Sequence, residues 1–123
     1  MRAAAASLVS RVRVGVVIAT VACAVCPALA STPSSTECTE GAEFIGNAAQ
    51  ARENGMPREA FLDQISADFE MIRAFPSELR WFAHDRADEA FLLNAARDVF
   101  DRPESPELHR VAFFRACMGR LRA

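Results

Sequence analysis

Glycine is scarce in this chain, five in 123 residues. The five never group into the loop that cradles a phosphate, so nucleotide-binding motifs are excluded. Lysine and tyrosine are absent altogether, and a GC-rich coding sequence explains the missing lysine without invoking function. No segment alternates polar and apolar residues between hairpin turns, and no internal repeat is present; sheet and solenoid architectures fall away. Ser66 and Ser77, the serines a Ser-His-Asp arrangement would recruit, stand in no nucleophile-elbow sequence. The longest apolar run, residues 14–28, has 15 residues, short of the roughly 20 that span a bilayer.

That short run reads instead as the centre of a secretory leader. Arg2, Arg11 and Arg13 precede or open it, and no acidic residue occurs before Glu37. It ends in Ala28-Leu29-Ala30, a small-x-small cleavage site. Residues 1–30 are therefore expected to be a signal peptide, 31–37 a flexible tail, and 38–123 a helical domain. The rival readings are an uncleaved anchor, or a lipoprotein attached through Cys23 or Cys26. Neither cysteine follows the usual Leu-small-small pattern. Cleavage near Ala30 predicts a periplasmic or secreted protein that does not insert into a membrane.

The mature part has 93 residues, one domain's worth. It carries 11 Arg against 16 Asp and Glu, a net charge of −5 with neutral histidines. Such a domain has no general attraction to nucleic acid or anionic lipid. All nine Phe fall in it, ample for an aromatic core. Two cysteines remain, Cys38 and Cys117, with no Cys-x-x-Cys spacing. In an oxidising compartment they predict one disulfide rather than a redox pair. It would close a loop of about 80 residues, worth about 4–5 kcal/mol in the chain-entropy account.

Helical spacing organises the rest. Ser34 and Glu37 have capping-box spacing, although Ser35 or Thr36 could also be the cap. Cys38, Ala42, Ile45, Ala49 and Arg52 make the stripe of a first helix, widened by Phe44 and Ala48. Asn54-Gly55 stops it. Pro57 suits the first turn of a second helix, with Phe61, Leu62, Ile65, Phe69 and Ile72 inward. Pro76 ends that helix near Phe75. Leu79, Phe82 and Ala83 suggest a short helix; Asp85 or Ala87 starts another, through Phe91, Leu92, Ala95, Ala96, Val99 and Phe100. A single bent helix over 77–100 is the alternative. Ser105 and Pro106 start the last helix, whose apolar face is Leu108, Val111, Phe114, Met118 and Leu121, with Cys117 at its edge. The expected fold is all-α, a small bundle of four to five helices with a disulfide joining first and last, which run antiparallel if they are neighbours.

Few residues carry candidate chemistry. His84 and Asp88 at i, i+4 could place two metal ligands on one helix face, yet no third ligand stands out. A solvated face of His84, Asp85, Asp88 and Glu89 explains the pattern equally well. His109, between Glu107 and Arg110, is expected in solvent, as are Glu59 and Asp63. No catalytic residue, cofactor or metal is predicted. Two aromatic pairs point to contact instead. In Trp81-Phe82 and Phe113-Phe114, neighbours are turned about 100° apart. Phe114 is expected in the core, leaving Trp81 and Phe113 as possible contacts for a partner or apolar ligand, unless a wide core face takes them all.

The early Cys38, Ala51-Arg52-Glu53-Asn54-Gly55, the Pro103-Glu104-Ser105-Pro106 turn, Phe114 and Cys117 together resemble small exported all-helical proteins of proteobacteria without assigned function. The resemblance covers most of the mature chain. It implies a fold and a compartment and transfers no active residue. In size, helix content and single disulfide the chain is also loosely similar to acid-activated periplasmic chaperones. The leading expectation is a non-enzymatic binding or structural module of the periplasm, with a protein partner possible. The alternatives are a stress chaperone or inhibitor that exposes aromatic faces when its 16 carboxylates neutralise, a carrier using a Phe-lined pocket, and an envelope-acting enzyme with an acidic catalytic group.

Overall fold

The structure, a computed structural model, describes residues 33–122. The expected leader, its cleavage site, Cys23 and Cys26 lie outside the described residues. Four α-helices follow one another: α1, Ser35–Glu53; α2, Arg58–Ile72; α3, Arg86–Asp101; and α4, Pro106–Leu121. A 3-10 turn, Ser77–Leu79, lies between α2 and α3. No strand occurs among the described residues.

Local chemistry sets the helix ends. Ser34 Oγ accepts from the Glu37 N–H at 3.1 Å, and Glu37 Oε2 accepts from the Ser34 N–H at 2.7 Å. This capping box satisfies two donors that the helix itself leaves over. Helix α1 therefore begins at Ser35, inside the stretch expected to be a tail, and Pro33 before it is buried. It stops at Asn54, where Gly55 takes φ +93°, a conformation that costs a glycine little. Helix α2 ends at Ile72, three residues before the expected Phe75. There the backbone tightens to i→i+3 bonds, Ala74 to Met71 and Phe75 to Ile72, ahead of Pro76. Asp85 caps α3 through the Asp88 N–H at 2.8 Å, and Ser105 with Pro106 starts α4 as expected.

Helix α1 is the centre of the bundle. Helices α3 and α4 both pack on it, and α2 packs on α3. Cys38 and Cys117 are disulfide-bonded, with Cα atoms 5.6 Å apart, and both are buried. At the opposite end, the Arg52 guanidinium donates to the carbonyls of Val99, Arg102 and Glu104, just before α4. The start of α1 is thus tied to the end of α4 and its end to the start of α4, so the two run antiparallel. The core is Ile45, Leu92, Val99 and Phe82 around the disulfide. Phe82, Phe91 and Phe113 form a ring cluster with centroids 5.3–6.2 Å apart.

Helix α4 is rotated from its expected orientation. It buries His109, Phe113 and Cys117, whereas the expected core residues Leu108, Val111 and Phe114 are 58%, 37% and 39% exposed. The disulfide explains this. Cys117 must face α1, and residues four and eight positions earlier share that face. Gly41 makes the room: a Cβ there would lie 2.6 Å from Phe113 Cε1. Phe113 is therefore a core ring rather than an exposed contact, and His109 is buried rather than solvated.

Candidate functional site

Residues 73–89 hold a charged cluster over the ring core. His84 does not lie on the α3 face with Asp88; it precedes the Asp85 cap. Its ring is buried, with Nδ1 2.7 Å from the Ser77 carbonyl and Nε2 2.9 Å from Glu37 Oε1. Both partners accept and neither can donate, which assigns His84 the doubly protonated form facing a carboxylate. Burial pushes the ring's pKa down. The bonds to Ser77 and Glu37, with the charges of Glu37 and Asp88, outweigh burial and raise it above its ordinary value. Glu37 mirrors this. Burial raises its carboxyl, but bonds from the Ser34 and Phe82 N–H groups and from His84 bring it below the usual range.

Asp88 joins the cluster to α4. Its Oδ1 accepts from Arg120 at 2.9 Å and its Oδ2 from the His84 N–H at 3.2 Å. Burial, then the nearby Asp85, still leave its pKa raised. The Arg120 guanidinium lies 4.4 Å from the Phe91 ring centroid, where the aromatic face attracts a cation. Glu89 takes a two-pronged bond from Arg73, 2.9 and 2.7 Å, which lowers its pKa. Asp88 and Glu89 are therefore buried ion-pair partners, not a solvated face. Among the described residues no group of three His, Cys, Asp or Glu is placed to hold a metal.

Between α3 and α4 lies an open groove of about 410 Å³. Phe91 and Phe113 line it, with ring centroids 5.3 Å apart. Its floor includes Ile45, and Ala95, Ala112 and Ala116 keep its walls low. Asn94, Asp98, Arg102 and His109 supply polar lining. There His109 Nε2 lies 2.9 Å from the Arg102 carbonyl, and Arg102 donates to Asp98 at 2.8 Å. The volume falls in the usual range for a small-molecule site, with an apolar floor and a few polar groups.

A second, smaller cleft of about 270 Å³ opens beside Trp81. Ile65, Phe69 and Leu92 line it inside, and Met71, Phe75 and Trp81 are its exposed residues. The Trp81 indole N–H donates to Glu40 at 2.7 Å, and its ring meets Phe44 edge-on at 6.1 Å. Next to it Phe82 has φ +56°, a left-handed conformation that costs a bulky residue about 1–2 kcal/mol. The buried Phe82 ring and its N–H bond to Glu37 at 3.0 Å hold it there.

The two expected contact residues are thus separated: Trp81 is at the surface, and Phe113 lines the groove from within. Glu37 could be read from sequence only as a cap, because its partner His84 lies 47 positions away. The groove's small wall left a faint signal, Ala112 and Ala116 at i, i+4. The described residues form, by class, a small all-α open bundle stapled by the Cys38–Cys117 disulfide. Compared with known proteins, the chain matches no protein-family model, no curated protein and no solved structure.

Proposed function

We propose that the chain is an exported, non-enzymatic binding module that takes a small, mainly apolar ligand with one polar end in the groove between α3 and α4. The groove itself carries this reading: an apolar floor of Ile45, Phe91 and Phe113, low alanine walls, and hydrogen-bonding groups among its lining. The leader-like pattern of residues 1–30, the disulfide and the resemblance to exported helical proteins support the compartment. Anilinonaphthalene sulfonate, an aromatic probe with one anionic end, tests the site. The protein is expected to bind it saturably at one site. Ala112→Trp, which fills the groove from an exposed position, abolishes that binding, while Met71→Glu at the other cleft leaves it intact. Equal binding by the Ala112→Trp protein overturns the assignment.

The exposed indole of Trp81 with Met71 and Phe75 favours a second reading, a protein partner that inserts one apolar side chain there. A photo-crosslinker at Phe75 would then trap a defined envelope protein, and one at the exposed Ala90 would not. Indistinguishable products from the two positions discard this reading.

A further inference from the structure

Aromatic rings and one carboxylate meet in the cleft of about 270 Å³ beside Trp81. Phe44, Phe69, Phe75 and Trp81 are among its lining residues, and Asp68 is the only charged one. Asp68 is half-buried and makes no ion pair among the described residues. Its one side-chain hydrogen bond comes from Gln64, 2.9 Å to Oδ1, which leaves Oδ2 without a side-chain partner. The arginines that follow α2 are engaged elsewhere: Arg73 with Glu89, and Arg80 with the carbonyls of Phe75, Arg73 and His84. A second acid, Glu40, stands beside the cleft and accepts from the Trp81 indole.

These surroundings select a ligand by charge. A neutral apolar ligand would cover Asp68 without giving its carboxylate a partner, which costs free energy. An anion would meet like charge at Asp68 and Glu40. A cation on a compact apolar body suits both parts of the cleft, because aromatic rings attract it and the carboxylate neutralises it. We infer that this cleft is a binding site for a small organic cation of the alkylammonium class. A quaternary ammonium fits best: its methyl groups present apolar surface to the rings, and it has no N–H to leave unpaired. The net charge of −5 on the mature part draws such cations towards the protein. The site shares no lining residue with the groove between α3 and α4 and does not depend on what that groove binds.

Trp81 is the only tryptophan of the chain, so its emission reports on the cleft directly. Two probes of the same shape separate charge from size: choline, and dimethylbutanol, in which carbon replaces the nitrogen and the charge is gone. Choline is expected to change the Trp81 emission saturably, and dimethylbutanol to bind about tenfold more weakly or worse. Asp68→Asn keeps the shape and removes the charge. It is expected to weaken choline about threefold or more and to leave dimethylbutanol unchanged, which shows the cleft intact. Met71→Glu adds an acid at an exposed lining position and is expected to tighten choline, a gain that a misfolded variant could not give. No saturable response to choline overturns the proposal. So does dimethylbutanol binding as tightly as choline, or choline binding indifferent to both substitutions; either outcome marks the cleft as merely apolar.

Discussion

His84 is fixed by two groups that can only accept, the Ser77 carbonyl and the Glu37 carboxylate. A buried imidazolium is stable there only while Glu37 is ionised. The pKa directions define a pH window. His84 is raised in the folded state, so its contribution is complete below its unfolded value and is lost as pH climbs through the raised one. Glu37 is lowered, so its contribution is present above the ordinary carboxylate range and is lost as pH falls through the lowered value. Asp88 acts in the opposite sense: its raised pKa makes its ionisation a cost, relieved on acidification. Thermal melts across pH are therefore expected to peak on the mildly acidic side and decline towards alkaline pH. His84→Gln flattens the alkaline decline. An unchanged decline in that variant places its origin elsewhere.

At the scale of the element, α4 shows how one covalent bond overrides an amphipathic pattern. Its sequence places Leu108, Val111, Phe114, Met118 and Leu121 on one face, but Cys117 and the space over Gly41 turn Phe113 inward instead. The two adjacent phenylalanines then separate the orientations. Phe113→Ala empties a packed position and is expected to cost about 3–5 kcal/mol. Phe114→Ala, at a surface position, should change stability by less than about 1 kcal/mol. Urea unfolding of both variants measures the difference; equal costs would mean that α4 is rotated otherwise. Gly41→Ala probes the same contact from α1. It should destabilise by about 1–3 kcal/mol, because a buried ring, not a flexible chain end, must move.

Across the whole molecule, α4 depends on α1 for almost all its packing, and the disulfide closes a sequence separation of 79 residues. Removing it with Cys38→Ser and Cys117→Ser together frees the denatured chain and is expected to cost about 4–5 kcal/mol. That approaches the whole stability of a domain this small. Urea unfolding of the double variant should show little native baseline at room temperature. A midpoint close to that of the oxidised protein would show that packing alone holds α4. The open side of the bundle follows from the same arrangement. With α1 central, α3 and α4 meet each other mainly through Phe91–Phe113 and Asp88–Arg120, and the space between them remains as the groove.

The sequence by itself determined the elements. Caps, prolines and Gly55 are local chemistry, so the capping box of α1, its end at Asn54-Gly55 and the Ser105-Pro106 start of α4 were legible in it, as was the pairing of Cys38 with Cys117; the start of α3 stayed open between Asp85, Ala87 and one bent helix. The groove, the buried cluster and the exposed α4 face were decided only by tertiary structure. Each depends on residues tens of positions apart: Glu37 with His84, Gly41 with Phe113, Ile45 with Ala112. Periodicity tells which residues share a face. It does not tell which face a crosslink and a missing Cβ will turn inward.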